Sequence, residues 1–358
     1  MSIAESVLAV FPPPSVLATG PAGIDITDGS VKCAVLAPRG SGARLSAYAD
    51  TPLSAGAVID GGIEIPERVV EVLRSIRLRQ GIRSAAACLP EEKCFLYQAL
   101  VPGNPAELRS AIEFDLETHV PLAPAEVAFD FEPMRSVEGG TVVSVTAYAK
   151  RIVDAYVSVF REAGITLSAL EAEPQSIARA VLSAADRSRA VMVLDIGAHT
   201  TRIIIAEDGI VASTATISVG GDTFTAAISK FFNVSLSDAE KLRNERGFLV
   251  SSKNTEAVEA MITAVSVIRD ETLKHLSYWD GLSADALPRK KVERIILSGG
   301  GANLSGLPEH LEGAAGIPVS LANAWANAGS LDSYVPPMPF QESLRYTAAL
   351  GLAERGLT

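Results

Sequence analysis

The chain has 358 residues, enough for two cores rather than one, and its 31 Lys and Arg against 42 Asp and Glu give a net charge of −11. That balance argues against nonspecific nucleic-acid binding and against a basic membrane-surface patch, and the local group Arg74, Arg77, Arg79 and Arg83 reads as a solvated helix face. Cys33, Cys88 and Cys94 cannot all pair, the four histidines add no zinc spacing, no apolar run reaches the roughly 18 to 20 residues of a membrane span, and the start lacks a signal peptide's basic residues, so a reducing cytosol is expected.

Residues 1–20, with Phe11-Pro12-Pro13-Pro14, read as a flexible leader. Two apolar runs from Ala22 to Ile26 and from Ser30 to Leu36 then flank a Thr27-Asp28-Gly29-Ser30 turn, which predicts a hairpin with Asp25 at the end of its first strand. After a loop, Pro66 opens a helix with Val69, Val70, Leu73 and Ile76 at helical spacing, and Gly81 closes it. A strand follows from Ser84 to Leu89.

The character changes between about Pro90 and Gly164. Asn104-Pro105-Ala106-Glu107 is a cap for a helix with Leu108, Ile112 and Leu116 on one face, ended by Pro121. Val127 to Phe131 and Thr141 to Ala147 predict paired strands around Glu138-Gly139-Gly140. A second helix, with Val153, Tyr156, Val157 and Phe160 inward, ends at Gly164. This segment reads as an inserted β/α subdomain.

Ala172-Glu173-Pro174 starts a helix leading to Val191-Met192-Val193-Leu194-Asp195-Ile196-Gly197-Ala198-His199-Thr200-Thr201 and the β-branched run Arg202 to Ile205. This is a second hairpin with a carboxylate at its mouth, roughly 170 residues after the first, and the pair suggests an internal duplication facing one cleft. In a phosphate loop, Asp195 would hold magnesium directly or through water, Gly197 would admit the phosphates, and Thr200 and Thr201 would donate hydroxyls. An ordinary turn containing Asp and Gly has the same appearance. His199 reads as a neutral imidazole tip in solvent.

Val219-Gly220-Gly221-Asp222 leads into a helix with Phe224, Ala227, Ile228 and Phe231 on its apolar side, and Ser237-Asp238-Ala239-Glu240 is a capping box for another. An amphipathic stretch from about Thr255 to Trp279 carries Met261, Val265, Ile268 and Leu276. Arg294 to Leu297 then runs into Ser298-Gly299-Gly300-Gly301-Ala302-Asn303, where backbone without Cβ atoms would lie flat against a planar ligand, or simply turn before a helix. A last helix from Glu342 to about Arg355 has Ala348, Ala349, Gly351 and Ala353 for close packing.

Two hairpin motifs followed by Ser298–Ala302 resemble, in kind and order, the phosphate and adenosine motifs of the actin-like (ribonuclease H-like) ATPase fold, shared by actin, sugar kinases, heat-shock chaperone ATPase domains, MreB and FtsA. The match is closer to the type IV pilus assembly PilM family, through Gly23-Ile24-Asp25-Ile26 with Ser30-Val31-Lys32, His119-Val120-Pro121-Leu122, Ala172-Glu173-Pro174, Val219-Gly220-Gly221-Asp222, Ala239-Glu240-Lys241-Leu242-Arg243 and the Ala348–Ala353 run. The resemblance implies an α/β, two-lobe fold with duplicated core domains. The first lobe would span 21–189 with an inserted subdomain at about 90–164, the second 190–334 with a helical subdomain at about 220–290, and 335–358 would return to the first lobe.

It further implies ATP with magnesium between the lobes. The implied nucleotide set is Asp25, Ser30, Lys32, Asp195, Gly197, Thr200, Thr201, Gly220, Gly221, Glu240, Arg243, Gly299, Gly300, Gly301 and Asn303, with Asp25 and Asp195 toward the metal. Glu240 and Arg243 would reach the ribose or adenine, Arg243 standing where relatives often carry Lys. Glu173 would sit near the magnesium or attacking water, although a first-turn Glu favoured by the helix dipole explains it equally. One departure stands out. Relatives read Asp-Ile-Gly in the first motif and this chain reads Asp25-Ile26-Thr27, so a turn needing positive φ would be distorted there and hydrolysis would be slow or absent.

The implied role is a cytoplasmic adaptor, peripheral at the inner membrane through partners, that binds the N-terminal cytoplasmic tail of PilN in a groove between the first lobe and the insertion and connects it to the pilus motor platform. Self-association is left open. The alternatives are an FtsA- or MreB-like scaffold and, less favoured, a sugar kinase, for which the chain offers no base beyond Glu173.

Overall fold

The computed structural model describes residues 20–39, 42–102, 108–249, 254–281, 289–329 and 334–357. The expected leader up to residue 19 and the Asn104–Glu107 cap lie outside the described residues.

The first hairpin forms as expected, from β1 (Ala22–Ile26) and β2 (Ser30–Arg39), and continues into β3 (Gly42–Pro52). A two-stranded ribbon, β4 (Val58–Ile59) with β5 (Gly62–Ile63), precedes the helix Pro66–Gln80, and then comes β6 (Ser84–Leu89). β7 (Phe95–Val101), β8 (Val127–Val137) and β9 (Gly140–Ala149) form a separate sheet in the order β7-β9-β8, with the helix Leu108–His119 against it. The chain returns through the helix Lys150–Ala163 to β10 (Thr166–Ala172), which completes the first five-stranded sheet in the order β10-β6-β1-β2-β3.

The helix Glu173–Val181 carries the chain to β11 (Ala190–Ile196), β12 (Thr201–Glu207) and β13 (Ile210–Ile217). After helices Gly221–Phe232, Leu236–Arg246 and Thr255–Gly281, the strands β14 (Val292–Ser298) and β15 (Val319–Leu321) join them in the order β13-β12-β11-β14-β15. Each five-stranded sheet is thus an antiparallel three-strand meander with two further strands added in parallel beside its first strand. The duplication read from two Asp-bearing hairpins therefore extends to the whole topology.

Both faces of the central strands are covered, so they are buried along their length and read as continuous apolar runs rather than alternating ones. Around the first sheet the core gathers Ile24, Val31, Leu73, Ile76, Tyr156 and Phe160, and around the second Val193, Ile204, Ile296, Phe224, Met261 and Trp279. Each fully buried aliphatic or aromatic side chain contributes about 1.5–3 kcal/mol. The final helix, Thr347–Glu354, lies against β1 closely enough that a β-carbon on Gly23 would fall 1.8 Å from the Ala349 carbonyl oxygen.

Four local expectations need correction. On Lys150–Ala163 the inward stripe is Ile152, Tyr156, Val159, Phe160 and Ala163, and Val157 is exposed because it falls off that helical repeat. Phe231 is likewise exposed, the inner face being Phe224, Thr225 and Ile228. The cap before Ala239 is Ser235 rather than Ser237, its hydroxyl accepting from the Asp238 N–H at 3.2 Å. The single helix expected from Glu342 is broken into Phe340–Ser343, a tight turn Leu344–Tyr346, and Thr347–Glu354.

Candidate functional site

Both hairpins carry an aspartate on the first strand directly opposite a cation on the second. Asp25 pairs in register with Lys32, and Asp195 with Arg202. The tips of the two hairpins, Thr27–Ser30 and Gly197–Thr200, open onto one cleft of about 1060 Å³ that Gly299–Gly301 also lines. Small-molecule sites run to roughly 1,000 Å³, so a nucleotide-sized ligand has room.

The first turn does not suffer from Thr27. Its φ is not positive, its N–H donates to the Ser30 carbonyl at 2.9 Å, and its hydroxyl donates to that carbonyl at 3.0 Å while accepting from the Ser30 N–H at 3.3 Å. The threonine closes the turn with its side chain, so the expected distortion is absent. Asp28 at the tip accepts from the N–H groups of Asp60 and Gly61 at 3.0 and 3.1 Å. Lys32 donates to the Ser30 hydroxyl at 3.3 Å. Asp25 is buried and accepts from the Cys88 thiol at 3.3 Å, and burial, then the neighbouring Asp25 charge, push the Cys88 pKa well up and keep it a donor.

The second loop is closed by the Gly197 N–H donating to the Thr200 carbonyl at 2.8 Å. The helix Gly221–Phe232 sits on it, the Gly221 and Asp222 N–H groups each donating at 2.9 Å to the Gly197 and Ala198 carbonyls. Gly220 is required by this approach, since a β-carbon there would lie 2.5 Å from the Ala198 oxygen. His199 is exposed at the tip, with Nδ1 3.2 Å from the Asp222 carboxylate.

Asp25, Ser30, Lys32, Asp195, Gly197, Thr200, Gly221, Glu240, Arg243, Asn303 and Glu173 all line the cleft with the three glycines. Thr201 and Gly220 do not. Thr201 is fully buried with its hydroxyl donating to the Val219 carbonyl at 2.7 Å, because the strand pleat turns it to the face away from the loop mouth. Gly299 adopts φ 82° and abuts the end of β11, where a β-carbon would lie 2.3 Å from the Ile196 carbonyl oxygen. Part of the glycine run therefore serves packing against the phosphate-type loop. Arg243 fastens the two helices beside the cleft, donating at 2.9 Å to both the Gly221 carbonyl and the Thr225 hydroxyl, while Glu240 stays exposed at the rim. Asn303 donates to the Gln341 and Gly300 carbonyls at 2.8 and 3.3 Å.

Arg202 is the site residue that motif reading passes over. Its Nη2 lies 3.2 Å from Glu92 Oε1, its Nε 3.0 Å from Glu173 Oε2 and its Nη1 3.5 Å from Asp195 Oδ2, with only 12% of the side chain exposed. The Nε contact is electrostatic, without hydrogen-bond alignment. Burial pushes the Glu173 carboxyl well up, with Arg202 opposing, and raises Asp195 against the pull of Arg202 and a Ser298 hydrogen bond. Burial also works against the Arg202 charge, but Glu173, Glu92 and Asp195 outweigh it and hold the guanidinium firmly protonated. A signal for it existed in the sequence: the spacing from Asp195 to Arg202 equals that from Asp25 to Lys32.

Two five-stranded α/β sheets of like topology, a cleft between paired hairpins and an inserted subdomain define an actin-like, two-lobe protein. The chain belongs to the type IV pilus assembly protein PilM family, whose model matches residues 23–357. Among solved structures it is similar to a PilM–PilN type IV pilus biogenesis complex, at 25% identity and a TM-score of 0.77 over 96% of this chain and 100% of that one. The ethanolamine utilization protein EutJ of Carboxydothermus hydrogenoformans (18% identity, TM-score 0.55, 96% and 90% covered) and MreB5 of Spiroplasma citri bound to ADP (16%, 0.53, 86% and 93%) share the fold. The cell division protein FtsA of Neisseria meningitidis is 25% identical over 238 residues, which are 61% of this chain and 55% of FtsA, so the match spans about half the length of that relative. Among the described residues no helix is long and apolar enough to cross a membrane.

Proposed function

We propose that the chain is a nucleotide-binding adaptor of the type IV pilus assembly platform, in which ATP in the cleft sets the relation of the two lobes and a PilN-type N-terminal tail docks between the first lobe and the β7-β9-β8 insertion. The observation that carries the nucleotide half is the convergence of Thr27–Ser30, Gly197–Thr200 and Gly299–Gly301 on one cleft. The two turns would take the phosphates, with Lys32 as counter-charge, and the rim of Glu240, Arg243 and Gly299–Gly301 would take the ribose and base. The partner half is supported by family membership and by likeness to a chain solved as a PilM–PilN complex. On this reading the protein is cytoplasmic and reaches the inner membrane through its partner.

The lobes are already bridged across the cleft. Arg202 and the Thr216 hydroxyl on the second sheet hold Glu92 and Glu91 on the segment after β6, and Arg135 of the insertion meets Glu207 at 2.8 Å. A ligand that binds both hairpin tips biases this closure by its differential affinity for the closed and open forms. Glu173, pinned by Arg202, is poorly placed to activate water, so hydrolysis is slow. A magnesium ion bound directly to Asp195 and Glu173 does not fit, because the guanidinium already occupies their faces.

Calorimetric titration of the full chain with ATP and ADP tests the first half, and heatless titrations with both would sink it. Titration with a synthetic PilN-type N-terminal peptide, with and without ATP, tests the second. The expected result is peptide binding that changes with nucleotide; equal affinity in the two states removes the control mechanism.

A further inference from the structure

Arg202 gathers three carboxylates that belong to three different parts of the chain: Asp195 on β11, Glu173 at the head of the helix after β10, and Glu92 in the turn after β6. All are largely buried, at 9%, 7% and 21% side-chain exposure. Buried carboxylates this close require a cation or protons. A magnesium ion would demand oxygen ligands at about 2.0–2.1 Å in octahedral array. The guanidinium instead spreads its donors in a planar fork over the same oxygens and carries its charge permanently. Its backbone is fixed, since β12 pairs with β11 on one side and β13 on the other.

We propose that Arg202 is the resident cation of this cleft, taking the place of a divalent metal at the Asp195–Glu173–Glu92 carboxylates, so that phosphate-bearing ligands bind without magnesium. The second clause rests on the nucleotide reading above; the first does not. Arg202 also joins the second sheet to both first-lobe carboxylates, so the charge that a soluble ion would bring on binding is here built into the closed arrangement. Relief of this lock depends on a competing anion rather than on metal supply.

The test uses the full-length protein and Mn2+ as probe, followed by electron paramagnetic resonance. Wild type is expected to leave added Mn2+ free at millimolar concentration, whereas Arg202→Gln gains one site at least about tenfold tighter, which Arg202→Gln combined with Asp195→Asn loses again. A wild-type Mn2+ site abolished by Asp195→Asn overturns the proposal, and this measurement stands even if the Arg202 variants fail to fold. In the second arm, ADP affinity of wild type is measured with magnesium and with EDTA. A difference within about threefold supports metal-independent binding, and a loss beyond about tenfold in EDTA overturns it. Absence of ADP binding in both buffers counts against the nucleotide reading instead, and the Mn2+ result then decides the role of Arg202.

Discussion

Gly351 in the final helix lies so close to Ser176 in the helix Glu173–Val181 that a β-carbon on it would fall 1.9 Å from the Ser176 carbonyl oxygen. The contact is backbone against backbone and has no flexible side chain to yield. Gly351→Ala must push the final helix away from its partner and from β1, and overpacking of this kind costs about 3 kcal/mol at the upper end of its usual range. Gly313, in the helix Leu307–Ala315, has open space at the same position and no positive φ, so Gly313→Ala should stabilise by about 0.5–1 kcal/mol. Urea unfolding of the two variants checks the pair; similar midpoints would mean that the final helix can shift freely.

The first turn makes a second prediction, against the family pattern. Restoring glycine by Thr27→Gly removes both hydroxyl hydrogen bonds to Ser30 and frees the unfolded chain, which together should cost about 1–2 kcal/mol. Thr27→Ser keeps the hydroxyl and should lie within about 0.5 kcal/mol of wild type. If the glycine variant is as stable as wild type and binds nucleotide more tightly, the threonine is a defect in the turn rather than its closure.

Neighbouring threonines in the second loop should separate fold from ligand. Thr201→Val preserves shape but strands the part-buried Val219 carbonyl, for a loss of about 1–2 kcal/mol with ADP affinity unchanged. Thr200→Ala, at the cleft surface, should weaken ADP several-fold and leave the unfolding midpoint in place. Chemical denaturation and calorimetry on both variants give four numbers, and weakened binding in Thr201→Val with full stability would reverse the assignment.

These residues show what the sequence makes legible. The central strands could be read because burial on both faces leaves uninterrupted apolar runs, and Asp25 and Asp195 stood out as the carboxylates ending them. β3 escaped because it lies largely half-exposed and lacks a strong apolar run, whereas β7, Phe95–Val101, is largely apolar but half-exposed and was not assigned from the sequence. Gly351 was recognisable as a close-packing residue, but its partner Ser176 is set by tertiary packing across some 170 positions, which periodicity does not encode. Thr201 and Thr200 differ by one step of the pleat, so residue type alone suggested the same role for both. Arg202 drew no role from the sequence, because the carboxylates that hold it inward, Glu92, Glu173 and Asp195, come together only in the fold.

A last prediction concerns Glu354, the end residue of the final helix. It is buried, neither carboxylate oxygen has a hydrogen-bond partner, and burial, against the pull of Arg179 and Arg187, raises its pKa from 4.5 to about 8. Between those values the folded state holds a proton that the unfolded chain has released. The linkage sign then requires that stability from this group be full below about pH 4.5 and be lost as pH rises toward about 8. The span corresponds to a contribution on the order of a few kcal/mol. Glu354→Gln, which cannot ionise, should flatten this slope, so that the variant is more stable than wild type at pH 8 and loses that advantage at pH 5. Urea midpoints at the two pH values measure the difference of slopes directly, and parallel curves for the two proteins would show that Glu354 stays ionised in the fold.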